Sequence, residues 1–198
     1  VAVVLTNLPL PWTAAPSLLD FGIDQTAGAG GVQQRGPRIG SRWAVTFSAL
    51  PALGYVAACK LLAARLTAQA HGQTLLAPWP QPAFTDAIGS PLVNGAGQGG
   101  LTLNVRGLTP RVAVAAGLFF SVIVAGRNFL YQTTDTCAAD AGGLAALPIG
   151  PFIRKAPADG ATLGFAAPQI EGMISGLEWT IDRLAWVSLP SFTLTELE

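Results

Sequence analysis

His71, Cys59 and Cys137 are the only imidazole and thiols in the chain, so they bound the metal and nucleophile chemistry open to it. A tetrahedral zinc site draws its ligands from clustered Cys and His side chains. One histidine and two cysteines far apart in sequence do not supply the usual cluster. His71 falls in the last turn of a predicted helix, where the dipole favours a cationic ring. Cys59 lies in a helical pattern, and both cysteines read as buried free thiols; a disulfide between them stays open, though nothing requires one. No G-x-S-x-G elbow is present to present a serine nucleophile. Glycoside hydrolysis needs two carboxylates facing each other across a cleft. The nearest pair in sequence, Asp135 and Asp140, suits turns in which an aspartate bonds its own backbone.

The stretch "GAGQGG" places glycines at 95, 97 and 100 and satisfies G-x-G-x-x-G in letter only. A pyrophosphate cradle needs a strand before these glycines and a helix N-terminus after them. Here a proline-rich segment precedes and the strand-like "LTLNVRG" follows, so the glycines read as a hairpin or flap. The sequence therefore predicts no enzyme, no cofactor and no metal. Residues 137–161 concentrate charge in a chain that is short of it: Asp140 and Asp159 with Arg154 and Lys155. Asp140 and the following Gly142-Gly143 suit a strand-to-strand turn, Pro148 and Pro151 stop the next strand, and Arg154 is expected to pair with an acid. That partner could lie within the subunit or across a subunit boundary. Arg35, Arg38, Trp79, Arg154 and Lys155 are the candidate subunit-interface residues.

Those residues must be positioned by a chain that is 51% hydrophobic and 11% charged, with eleven acids balancing eleven bases. Zero net charge gives no field to draw it to nucleic acid or to an anionic membrane. So little charge would hardly cover a monomer of 198 residues, and part of the apolar surface is expected to lie against other subunits. The longest apolar run, 112–126, is shorter than the roughly 20 residues of a spanning helix and rich in β-branched and aromatic residues, which predicts two adjacent strands. Prolines 9 and 11, and the lack of a basic start, predict neither a signal peptide nor an anchor.

The spacing predicts an N-terminal arm and glycine-rich loop over 1–41, then a β-sandwich or barrel domain over 42–198. One long packed helix over 51–71 opens at Pro51 and is capped by Gly72. Its apolar stripe is Leu53, Val56, Ala57, Leu61, Ala64 and Ala68, interrupted by Lys60. A proline-stiffened loop spans 78–100. Strands are predicted at 42–50, 74–77, 101–105, 111–116, 118–125, 129–133, 143–148, 162–166, 178–186 and 191–196. The class is mainly β with one long helix (α+β). Of the five tryptophans, Trp43, Trp179 and Trp186 sit in strand patterns that read as core, leaving Trp79 as the best exposed one.

The segments "AGLFFSVIVAG", "LYQTTD", "ADAGGLAALPIGPFIR", "ADGATLGFAAP" and "EGMISGLEW", closed by "SFTLTELE", resemble in that order the distal tail and minor tail-tip structural proteins of long-tailed bacteriophages. Upstream, "GGVQQRGPRIGSRWAVTF" and the helix leading to "HGQTLLAPWP" fit the same pattern. The resemblance implies a virion protein of the tail tip or baseplate, assembled in the bacterial host cytoplasm. It implies a ring of identical subunits, a hexamer in the type case, joining the tail tube protein to the hub and tip proteins around a DNA channel. No sequence-specific nucleic-acid binding and no membrane span go with it. A trimeric hub or adaptor is the alternative within that class. A β-sandwich carbohydrate-binding module, using tryptophans such as Trp12 and Trp79 as stacking platforms, is the alternative outside it.

Overall fold

The computed structural model describes residues 2–5, 13–25, 30–48, 52–81, 88–176, 178–184, 186–188 and 191–197. Trp12, Pro51 and Asp86 lie outside these residues. In chain order the elements are β1 (Val3–Val4), β2 (Thr13–Leu19), β3 (Ile23–Gln25), β4 (Gln34–Gly36), β5 (Arg42–Ser48), β6 (Leu53–Gly54) and the helix α1 (Tyr55–Ala70). There follow β7 (Leu75–Pro78), β8 (Gly89–Val93), β9 (Thr102–Leu108), β10 (Ala113–Val114), β11 (Phe119–Val124), β12 (Arg127–Thr133), β13 (Cys137–Ala138) and β14 (Ala145–Gly150). The chain continues through β15 (Leu163–Gly164), β16 (Gln169–Ser175), β17 (Thr180–Ile181), β18 (Trp186–Ser188) and β19 (Phe192–Glu196). Among the described residues the protein is thus mainly β with a single α-helix.

Two six-stranded sheets carry the fold, in the orders β1-β7-β16-β19-β5-β2 and β15-β11-β12-β14-β9-β8. The second is barrel-like: its end strands meet at a bridge between Leu92 and Thr162, and Val93 donates its N–H to the Ala161 carbonyl at 2.9 Å. Each sheet has its own core, one around Phe47, Leu75, Ile170 and Leu194, the other around Phe120, Val122, Leu147 and Ile149. β12 belongs to both. Successive strand residues point to opposite faces, so Leu130 enters the first core while Phe129 and Tyr131 enter the second.

The helix is shorter than the expected 51–71. Leu53 and Gly54 pair with Val187 and Trp186 of β18, which holds the backbone extended up to Gly54 and delays the helix to Tyr55. Its end falls where the glycine predicts: Gly72 has φ +60, and Gln73 donates to the Ala68 carbonyl at 3.0 Å, a closure that needs a left-handed residue. The buried side is Ala58, Leu61, Arg65 and Ala68, whereas Val56, Ala57 and Lys60 of the predicted stripe are exposed. A helix this rich in alanine is apolar nearly all round, so its pattern does not select one face.

Three strand expectations change. The expected strand 178–186 is broken in two: β17 pairs antiparallel with β18, because Asp182 Oδ1 accepts the N–H groups of Leu184 and Trp186, both at 2.9 Å, and turns the chain. Pro148 lies inside β14 instead of stopping it, at the point where that strand passes from pairing with β9 to pairing with β12. The expected loop 78–100 contains β8, a strand whose Gly89 and Pro91 disguise it. The 22–41 region contains the β3–β4 hairpin, tied to the preceding turn by Arg35, which pairs with Asp20 and, at 3.6 Å, with Asp24.

Candidate functional site

The seam between the sheets is built on backbone groups that strand pairing leaves over. Thr133 of β12 donates its N–H to the Leu118 carbonyl beside β11 at 2.9 Å. By strand alternation the amides of Asn128 and Leu130 then face away from β11. β14 reaches β12 only at Gln132 and Thr133, so it does not serve them. Buried N–H groups without partners cost stability. Two glutamates from the other sheet take both. Glu171 of β16 accepts from Asn128 at 2.8 Å and from the Thr74 hydroxyl at 2.6 Å. Glu196 of β19 accepts from Leu130 at 2.7 Å and from Trp43 of β5 at 2.8 Å. Carboxylates thus replace a missing strand.

Arg154 neutralises Glu196. Its Nη2 lies 2.9 Å from the Glu196 carboxylate, with side-chain exposures of 3% and 1%. Its Nη1 donates to the Leu197 carbonyl at 3.1 Å, and its guanidinium sits 5.3 Å from the centre of the Phe129 ring. Nη2 is not aligned for a hydrogen bond, so the pair is held by charge and by Glu196's two backbone donors. Burial pushes the Glu196 carboxyl above its ordinary value, against the pull of Arg154 and of the Leu130 and Trp43 amides.

Arg65, on the buried side of α1, is the opposite case. It is fully buried, donates from Nη2 to the Gly176 carbonyl and lies 4.7 Å from the centre of the Phe192 ring. Nε and Nη1 have no partner, and burial lowers its pKa. The partly exposed Arg106 makes a two-pronged pair with Asp159, at 2.8 and 3.2 Å. Asp159 also accepts the Gly95 N–H at 2.8 Å, so the "GAGQGG" glycines turn the β8–β9 hairpin. Asp140 accepts from Gly142 and Leu144, both at 2.8 Å, and Asp135 accepts from Thr136 at 2.7 Å.

The candidate interface residues are not brought together. Arg154 finds its acid within the chain and is buried with it. Trp79 is buried too, packed edge-on to Trp43 and tilted against Phe119. Neither side chain is open to a neighbouring subunit, which corrects their assignment. Arg35, Arg38 and Lys155 are exposed, with Arg35 already paired. The tryptophan assignment is reversed: Trp179 and Trp186 are about half exposed, the one next to and the other on a small three-stranded sheet, β17-β18-β6, that lies outside the two six-stranded sheets. A cleft of about 620 Å³ opens where β8 and β15 part beyond the Leu92–Thr162 bridge. Its walls, from Ile88 to Leu92 and from Thr162 to Ala167, carry no ionisable side chain.

Glu171, Glu196 and Arg65 escaped the sequence reading. For Glu196 a signal exists: in "FTLTE" alternation places it with Phe192 and Leu194, the buried positions of β19. Arg65 carries no such mark, since the alanines around it let either helix face turn inward. Among the described residues no group of three His, Cys, Asp or Glu side chains could hold a metal ion, and no helix is long and apolar enough to cross a membrane. No protein-family model matches the chain, and no curated protein matches it.

Proposed function

We propose that the chain is a structural protein of a phage virion, of distal-tail type, forming a ring of identical subunits between the tail tube and the tip hub around the DNA channel. One observation supports this most. Large apolar side chains stand exposed, among them Phe21, Val32 and Ile39 on the N-terminal arm and Val56, Leu66 and Leu184 on α1 and the β17–β18 hairpin, while the side chains of Arg154, Glu196, Glu171 and Arg65 are turned inward. A chain arranged so is suited to assembly, since contiguous exposed apolar surface marks contact sites. The role is mechanical: subunits hold a ring and let DNA through, and a wall without net charge does not grip it.

Native mass spectrometry with negative-stain images of the same sample tests this. A six-membered ring with a central hole is the expected result. A stable trimer moves the protein to the hub or adaptor position, and a monomer that persists on concentration overturns assembly altogether. The exposure of Trp179 and Trp186 favours a second reading, a carbohydrate-binding module in which these rings stack on sugar faces. Saturable quenching of tryptophan fluorescence by sugars at millimolar concentration supports that reading, and no quenching removes it.

A further inference from the structure

We propose that Asn94 is a latent modification site, a self-reacting amide held back by a clamp of Asp159, Arg106 and Gln98; it stands apart from the ring-forming reading above. The chain contains one Asn-Gly pair, Asn94-Gly95, and one Asp-Gly pair, Asp159-Gly160. Asparagine is a thermolabile residue, and most of all before glycine, where no side chain hinders attack on its amide. The Gly95 nitrogen gives up its proton to solvent base and bonds to the Asn94 side-chain carbonyl carbon, and ammonia leaves. Water then opens the five-membered ring, leaving aspartate or isoaspartate. Aspartate before glycine closes the same ring with loss of water.

The fold requires both glycines and then restrains what they permit. Gly95 has φ +93 and Gly160 φ +75, a region that favours glycine, so a bulkier residue that would slow the reaction does not fit the turns. Asn94 and Gly95 are exposed, and water and base reach them freely. Ring closure, however, must turn the backbone until the Gly95 nitrogen meets the Asn94 side chain, and every backbone group on that path is bonded. Asn94 donates its N–H to the Asn104 carbonyl at 2.9 Å. Gln98 Nε2 donates to the carbonyls of Asn94 and Gly95, at 2.9 and 3.0 Å. The attacking nitrogen is itself tied, since Gly95 donates its N–H to Asp159 Oδ1 at 2.8 Å, although 64 residues separate the two along the chain.

Arg106 holds the Asp159 carboxylate through both oxygens and reaches Asn94 Oδ1 at 3.4 Å. The Gly95 N–H and then Arg106 keep the Asp159 carboxyl below its ordinary value. It therefore stays ionised, which makes it a weak base toward Gly95 and a poor electrophile toward Gly160. The Gly160 N–H is tied in turn, to the Val93 carbonyl at 3.0 Å. Each labile pair thus restrains the other. Conversion of Asn94 sets a second carboxylate beside Asp159, with Arg106 shared between two like charges that disfavour one another. The clamp is then weakened at the place where Val93 closes the barrel-like sheet through Ala161.

The test incubates full-length wild type, Asp159→Ala and Gln98→Ala near neutral pH, with thermal melts showing that each is folded. Mass spectrometry after proteolysis follows the gain of one mass unit at Asn94, and wild type unfolded in guanidinium gives the unrestrained rate. Reaction proceeds through local opening, so folded wild type is expected to convert at least about tenfold more slowly than the unfolded chain. Both variants should lose most of that protection, Asp159→Ala the more. Folded wild type that converts as fast as the unfolded chain overturns the clamp, and so do variants as slow as wild type. Asp159→Ala slower than wild type also overturns it, by making Asp159 a base that promotes the reaction. Should a variant fail to fold, hydrogen exchange at the Gly95 amide of wild type decides. Slow exchange supports the clamp, and exchange as fast as in the unfolded chain overturns it.

Discussion

At the seam between the two sheets, charge is buried and the β12 amides of Asn128 and Leu130 are answered by carboxylates; on the arm and around the helix and hairpin, large apolar side chains are bare. The two regions use the same small stock of ionisable residues in opposite ways. Glu171, Glu196 and Arg154 fix how β12 sits against β16, β19 and β5, a geometric task that apolar side chains cannot perform because backbone N–H groups need acceptors. The surface, left without those charges, exposes large apolar side chains. Sparse charge in this sequence therefore has a structural destination inside the fold and a consequence outside it.

The sharpest way to break the seam is Glu196→Ala. It leaves Arg154 buried without its acid and the Leu130 and Trp43 amides without an acceptor. The expected loss is about 3–5 kcal/mol of unfolding free energy, read by urea denaturation. Arg154→Met with Glu196→Gln together should cost less than Glu196→Ala alone, since no bare charge stays behind.

Gly172→Ala attacks the same region through the backbone. Gly172 pairs with Glu196 across β16 and β19, and a Cβ there would run into the Thr195 carbonyl. Overpacking of this kind costs about 1–3 kcal/mol, so a lowered urea midpoint is expected. A midpoint equal to wild type would show that β16 and β19 are not so close.

Arg65→Met sharpens the contrast between two buried guanidiniums. Arg65 has no carboxylate to abandon, so its replacement should stay within about 1 kcal/mol of wild type or gain stability, where Arg154→Met loses about 3–5 kcal/mol. Equal losses for the two would mean that Arg65 has an anionic partner after all.

The smallest effect belongs to the surface carboxylates. The Gly22 N–H and then Arg35 hold Asp20 below its ordinary value of 3.8. The Gly95 N–H and then Arg106 do the same for Asp159. A lowered carboxyl contributes stability that is complete above 3.8 and is lost as the pH falls through the folded values. Glu196, pushed up by burial, has the opposite sign: its share is complete below the ordinary glutamate value and is lost as the pH rises through the folded one. Asp20→Asn with Asp159→Asn should therefore lower neutral-pH stability slightly and flatten the acid side of a stability–pH curve by the same amount. An unchanged acid limb would assign it to other groups.

The sequence by itself determined the class of this fold and many of its turns. Alternation in "FFSVIV", "RNFLYQT" and "FTLTE", the αL glycine after α1 and the aspartate turns at 140 and 135 act through neighbours in the chain, so they are legible there. Only the tertiary structure decided which side of an alanine-rich helix faces inward, that Arg154 meets Glu196 and not a neighbouring subunit, and that Trp79 is core while Trp179 and Trp186 are not. Those outcomes depend on which strand edges are left unpaired and on which sheet each strand joins. Both are set by contacts between segments far apart in the chain, which no local pattern carries.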